Sequence, residues 1–286
     1  LTLATLPSDP PPSSLASAMI KQHFIYTEAR SGSNFLVDIF NQHPHLVNYG
    51  EVLGDWTKPH KLYRAITRKL PDMAYLNYIY TSRLFYYLSQ FFYAYQNYKR
   101  RKPIQFKWYS QISSVGVKDF HHTLLKYGLL DFFRAHPKLY IIYLYRQNLL
   151  KQHVSLEVMR ATRVVSSEMT QDGKAVAQTQ SARIRVDPSE ILAVLANAEK
   201  EVLEREKILC RVDSDHLLRI SYEDLFASPK SQEQFRYQAF NFLGVEPIAA
   251  TSRQRKLSSD NLQDLIENYG ELYQALINTP FAKYLA

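Results

Sequence analysis

The run Leu139-Tyr-Ile-Ile-Tyr-Leu-Tyr145 constrains this chain more than any other feature. A short apolar run without polar alternation fits a strand covered on both faces, and such strands belong to parallel sheets sandwiched between helices. Its neighbours agree. His23–Thr27, Leu46–Tyr49, Ser114–Lys118 and His216–Tyr222 read as further strands. Between them, helical spacing runs over Asn34–Phe40, from the Ser114–Lys118 strand to about Arg134, and onward from about Asn148. Pro188 suits the first turn of a long helix ending near Leu209, and a helix over about Gln232–Leu243 is stopped by Gly244. Strands alternating with helices predict a three-layer α/β domain, a P-loop-like parallel sheet flanked by helices.

Residues 1–20 combine Pro7, Pro10, Pro11 and Pro12 with small and polar side chains, so a disordered leader is expected, followed by a single α/β domain over 21–286. Two stretches interrupt the alternation. Between Met73 and Tyr98 the only charged side chain is Arg83, and the segment carries eight Tyr and three Phe. It reads as one or two helices within a helical insertion of about 61–102, closed by Lys99-Arg-Arg-Lys102. Residues 162–187 hold no sustained period and read as a mobile loop.

An apolar fraction of 46% excludes disorder as the main state. A single cysteine, Cys210, excludes a disulfide framework or a cysteine-rich zinc module, and its helix-end position reads as a core or boundary site. No run of about 18 apolar residues or secretory leader is present, so the expectation is a cytoplasmic protein without a membrane span. The net charge of +8 calls for anionic partners without naming the anion. His43 and His45 flank Pro44 in a turn with no carboxylate or cysteine at ligand spacing, and no metal site is expected.

Glu28-Ala-Arg-Ser-Gly-Ser-Asn34 joins the first strand to the first helix, an arrangement that aims backbone N–H groups and the positive helix end at a phosphate. Gly32 allows close backbone approach, while Arg30, Ser31 and Ser33 can add charge-assisted bonds. The same loop would also serve as an ordinary turn capped by Ser33. It lacks the Gly-Lys-Ser/Thr of a nucleotide triphosphatase, and the strand 139–145 ends in Arg146 where such an enzyme would place a metal-binding Asp. Two cationic sites at two strand ends suggest a nucleotide phosphorylated at two separate positions.

Arg30-Ser-Gly-Ser-Asn-Phe-Leu36, continuing into Phe40-Asn-Gln-His-Pro44 and Gly50-Glu51, resembles the 5′-phosphosulfate loop of the sulfotransferases, particularly their carbohydrate and bacterial nodulation-type branches. Tyr145-Arg-Gln-Asn-Leu-Leu-Lys-Gln-His-Val-Ser155 resembles their 3′-phosphate element. Val115-Gly-Val-Lys118, Ile220-Ser-Tyr-Glu-Asp-Leu225, Phe242-Leu-Gly-Val245, Leu265-Ile-Glu-Asn-Tyr269 and Thr279-Pro280 follow in order. The resemblance implies 3′-phosphoadenosine 5′-phosphosulfate (PAPS) as cosubstrate and an acceptor hydroxyl, with carbohydrates, phenols and lipid-like molecules as acceptor classes. It assigns Arg30, Ser31, Gly32, Ser33, Asn34 and Phe35 to the 5′-phosphosulfate, and Arg146 with Ser155 to the 3′-phosphate. Tyr222 matches a position near the adenine, and Arg253, Arg255 and Lys256 match a basic loop over the nucleotide, although the glycine-rich form of that loop is missing.

Sulfuryl transfer, by analogy with phosphoryl transfer, needs fixed donors and one base rather than a metal. Three bases compete: Glu51, at the position of a carboxylate in carbohydrate-type relatives, and His121 or His122, near the histidine of cytosolic relatives. Histidine matches neutral pH better; the family branch favours Glu51. Lys118 is a candidate for orienting the acceptor or the sulfuryl group. In relatives the segments between the first helix and the Lys118-type strand line the acceptor pocket, so some of the tyrosines, with loop 162–187, are expected to form an acceptor cleft. Two other readings compete: a nucleotide-phosphate kinase with a degenerate loop, and a non-enzymatic module for acidic glycan or nucleic acid. The missing lysine and Arg146 count against the first, and scattered rather than striped basic residues count against the second.

Overall fold

The structure is a computed structural model, and it describes residues 19–67, 71–99, 101, 104–164, 182–252, 254, 259 and 261–285. Five strands, β1 (Lys21–Thr27), β2 (Leu46–Asn48), β3 (Ser114–Phe120), β4 (Tyr140–Tyr145) and β5 (Leu217–Ser221), form one sheet. Its order is β2-β3-β1-β4-β5, and every pairing is parallel. The three-layer reading holds because side chains of both parities along the strands are apolar, and each parity meets its own helices. Phe24, Tyr26, Val115, Val117, Ile141 and Tyr143 face one side. Ile25, Ile142, Leu144 and Ile220 face the other.

The second face is covered by α1 (Ser33–Gln42), which follows β1, and α10 (Pro229–Leu243). Gly244 ends α10 in the left-handed conformation, as the sequence predicts. The first face takes the insertion between β2 and β3: α2 (Lys58–Ile66), α3 (Asp72–Thr81) and α4 (Arg83–Lys99). Ser82 breaks the tyrosine-rich stretch into two helices and caps the second, its Oγ accepting from the Phe85 N–H. Two short helices, α5 (His121–Lys126) and α6 (Phe132–Ala135), replace the single helix expected before β4. The break falls at Gly128, which adopts a φ of 66°.

A third apolar cluster joins α7 (Leu149–Thr162), α8 (Ile191–Leu209), α11 (Leu262–Leu265) and α12 (Tyr269–Leu276). Residues 182–187, the end of the stretch read as a mobile loop, are anchored in it. Ile184 and Val186 are buried there, and the Ile184 N–H donates to the Leu265 carbonyl at 2.8 Å. Residues 165–181 and the leader to residue 18 lie outside the described residues. A four-residue α9 (Tyr222–Leu225) follows β5 directly. Cys210, expected at the core boundary, is exposed.

Strand order matters for function because it reverses at β1. The chain leaves β1 toward β2 and β3 on one side, whereas β4 and β5 lie on the other. Open parallel sheets bind ligands at the carboxyl ends of strands beside such a reversal. Arg30 follows β1 and Arg146 follows β4, the two strands that meet there.

Candidate active site

The loop between β1 and α1 carries two left-handed residues, Arg30 (φ 65°) and Gly32 (φ 80°). Gly32 is the cap of α1, and the first amides of a helix have no acceptor within it. A Cβ on Gly32 would lie 2.7 Å from the Phe226 ring and 3.2 Å from that of Tyr222, so these two rings roof the loop against its backbone. Arg30, a non-glycine residue in a region that costs about 1–2 kcal/mol, is held by partners on both sides. Its Nε donates to Ser155 Oγ at 3.1 Å, and its carbonyl accepts from Arg146 Nη1 at 3.4 Å.

The two cationic positions therefore form one site. Arg146 is nearly buried, stands over the Tyr222 ring at 4.4 Å, and approaches Glu223 at 3.8 Å. Burial lowers the proton affinity of Arg30, and the charge of Arg146 lowers it further; Arg146 is lowered by burial as well. Two like charges taken out of water beside each other form a site that an anion relieves. Tyr222 touches Gly32 and Arg146 together rather than packing at a strand end alone.

Helix α7 supports the loop from below. Gln152 donates to the Ala29 carbonyl at 2.8 Å and to Ser31 Oγ at 3.3 Å, one turn before Ser155. Ser31 and Ser33 are buried, Asn34 is exposed, and Phe35 packs edge-on against Phe226 at 5.1 Å. Gln152 is a residue that sequence reasoning missed, although its three-residue spacing from Ser155 on one helical face is a usable signal. Glu223 was missed too; its carboxylate accepts from the N–H groups of Gln147 and Asn148 and so fixes the turn that carries Arg146. Arg253, Arg255 and Lys256 lie outside the described residues.

The candidate bases stand at the carboxyl ends of β2 and β3. Glu51, 27% exposed, pairs with the Nζ of Lys118 and accepts from Trp56 Nε1 at 2.7 Å. Lys118 is 2% exposed and lies 4.5 Å from the centre of the Phe120 ring. Gly50 turns the chain at φ 71°, and Asp119 accepts from the Val52 and Leu53 N–H groups at 3.2 and 3.0 Å, which ties the segment after Glu51 to β3. Burial raises the Asp119 carboxyl above its ordinary range, opposed by the N–H groups of Phe120 and Leu53. Neither Trp56 nor Asp119 carried a sequence signal: Trp56 reaches Glu51 across an irregular turn, and Asp119 reaches the segment after Glu51 from the neighbouring strand.

His121 and His122 diverge. The His121 ring is buried, its Nδ1 hydrogen-bonded to the Tyr26 hydroxyl at 2.6 Å, and burial lowers its proton affinity. His122, 57% exposed, stacks on Phe120 and lies 3.6 Å from Glu28, whose carboxylate raises its proton affinity. Glu28 also accepts from the buried Arg205 at 2.9 Å. His43 and His45 each meet a backbone carbonyl, of Glu246 at 2.9 Å and of Gln111 at 2.7 Å. Among the described residues, no group of three His, Cys, Asp or Glu side chains could hold a metal ion. Within them, too, no helix is long and apolar enough to cross a membrane.

No protein-family model matches the chain, and no curated protein matches it. Among solved structures, it is similar to a sulfotransferase from Alicyclobacillus acidocaldarius, with 17% identity, 94% of this chain and 100% of that one covered, and a TM-score of 0.43. It is also similar to the sulfotransferase domain of the Synechococcus PCC 7002 olefin synthase, with 18% identity, 88% and 86% covered, and a TM-score of 0.34. Similarity at these scores is too low to carry the fold, which rests on the five-stranded parallel sheet itself.

Proposed function

We propose that the protein is a PAPS-dependent sulfotransferase of the carbohydrate and nodulation type, moving a sulfuryl group to an acceptor hydroxyl. One observation carries the reading: Arg30 and Arg146, from two adjacent strand ends at the sheet's reversal, share one site with Ser155, beneath the Tyr222 ring. That arrangement suits a nucleotide with phosphates at two positions and a base to stack. Arg146 and Ser155 would hold the 3′-phosphate, the loop Arg30–Phe35 the 5′-phosphosulfate, and Tyr222 the adenine. Gly32 caps α1 without a side-chain hydrogen bond, which suits an anion set on the helix end.

In the transfer, the bond from sulfur to the acceptor oxygen forms as the bond from sulfur to the 5′-phosphate oxygen breaks. Arg30 and the loop amides take up the charge that grows on the departing phosphate, a contact of a kind worth about 2.7–4 kcal/mol per donor. Glu51 accepts the acceptor's proton and passes it to solvent. A loose transition state leaves that proton in place until late, so a carboxylate suffices. Lys118 pairs with Glu51 and holds it in position. His122, rather than the buried His121, is the competing base, because its ring reaches solvent beside the loop.

Thermal unfolding with 3′-phosphoadenosine 5′-phosphate, AMP and ATP tests the donor assignment. A ligand at about 100 times its Kd stabilises by about 2.7 kcal/mol. The bisphosphate is expected to raise Tm well above either alternative, and Arg146→Ala to remove its advantage over AMP. Equal shifts for all three nucleotides overturn the assignment.

A further inference from the structure

Helix α4 is turned the wrong way round for a soluble helix. Its outward face is apolar: Leu84, Leu88, Phe91, Phe92, Tyr95 and Tyr98 are all exposed. At about 3.6 residues per turn these six fall within an arc of roughly 120°, along a helix about 25 Å long. Its buried positions are Tyr86, Gln90 and Asn97, two of them amides. Gln90 and Tyr86 are engaged there by the backbone of Lys107, which accounts for their burial. Among the described residues nothing comparable covers Phe91, 63% exposed and in ring contact with Phe106, or Phe92, 53% exposed. Ile104 and Trp108, also exposed, extend the patch beyond the helix end. A contiguous apolar face of this extent marks an interaction surface.

Charge identifies the occupant. From Met73 to Lys118 the chain contains no Asp or Glu, while Arg83 opens α4 and Lys99 and Arg101 follow its apolar face. Lys99 and Arg101 are exposed, and the Lys99 Nζ lies over the Tyr95 ring at 4.7 Å. A second copy of this chain is a poor partner. With the helices antiparallel, Arg83 of one copy would meet Lys99 of the other, and in parallel each would meet its like, with no carboxylate in the segment to pair. Phenyl and alkyl side chains flanked by Tyr, Trp and cations suit a different surface, the boundary of an anionic lipid bilayer.

We propose that the exposed face of α4 docks the protein onto anionic membranes, with Phe91 and Phe92 entering the acyl boundary and Lys99 and Arg101 meeting the headgroups. The attachment is peripheral, with the helix lying in the plane of the interface. It does not depend on the donor site, so the nucleotide measurement above and the one below can fail separately.

Co-sedimentation of the full chain with phosphatidylcholine vesicles, with and without phosphatidylserine, tests it. Binding is expected with phosphatidylserine, weakened by added salt and at least about tenfold lower on phosphatidylcholine alone. Phe91→Ser with Phe92→Ser should reduce binding by about tenfold or more while lowering Tm by no more than a few degrees, because both rings are mostly exposed and the Phe91 contact with Phe106 lies at the surface. Lys99→Glu with Arg101→Glu should abolish the preference for phosphatidylserine. No sedimentation with either vesicle overturns the proposal, as does equal binding by the phenylalanine variant. So does a concentration-dependent dimer of the parent chain that the same variant dissociates, which would make a second copy the occupant.

Discussion

Replacing Gly32 by Ala tests the roofed loop directly. Two terms follow from the geometry. A φ of 80° costs an L-residue about 1–2 kcal/mol. The new Cβ would stand 2.7 Å from a Phe226 ring carbon that prefers about 3.5–4.0 Å, and that ring is wedged against Phe35 and Tyr222. Overpacking of this kind costs about 1–3 kcal/mol. Together they amount to about 2–5 kcal/mol, a fall in Tm of about 4–10 °C for a domain of this size. Gly128→Ala supplies the control: its φ is 66°, but nothing lies within 4 Å of the added carbon, so only the backbone term applies. The assay is thermal unfolding of both variants, with and without 3′-phosphoadenosine 5′-phosphate. Gly32→Ala should fall further than Gly128→Ala and lose nucleotide stabilisation. A Gly32→Ala protein that melts no lower than Gly128→Ala and keeps its nucleotide shift refutes the close approach on which the loop reading rests.

Other outcomes are as specific. His23 is fully buried, hydrogen-bonded to Ser114 and Asn48, and burial lowers its pKa from 6.5 to about 3. Its contribution is complete above pH 6.5 and is lost as pH falls toward 3, so denaturant titrations should show about 1.4 kcal/mol less stability per pH unit below 6.5. His23→Gln should flatten that slope, and an unchanged slope counts against the buried neutral ring. Lys107 donates to the carbonyls of Asn41, His43 and Leu46 at 2.8, 2.8 and 2.6 Å, so Lys107→Met should cost about 2–4 kcal/mol in chemical denaturation. For the base, Glu51→Gln should lower kcat by at least about a hundredfold at neutral pH, whereas His122→Ala should leave it within a few-fold; the opposite ranking transfers the role to His122.

The layers of the fold were legible because each rests on local pattern. Leu139–Tyr145 is apolar on both parities, so it had to be covered twice, and Gly244 at a left-handed helix end is a purely local requirement. The strand–loop–helix join at Arg30–Phe35 was likewise readable from adjacent residues alone. Where a side chain's role depends on the element beside it, the reading stopped short. The helical period of α4 shows that two faces exist, but which one turns inward was decided by the Lys107 backbone bonding Tyr86 and Gln90.

Sequence by itself determined the kinds of element, their succession and the two cationic motifs, since period, caps and turn residues act over a few positions. Tertiary structure alone decided that Arg30 meets Arg146, that Glu51 meets Lys118, and that His121 is sealed while His122 is open. Each of those depends on strand order β2-β3-β1-β4-β5, which puts segments about a hundred residues apart side by side. Lateral order comes from summing many weak apolar contacts over the whole sheet, and no short stretch of chain contains that sum.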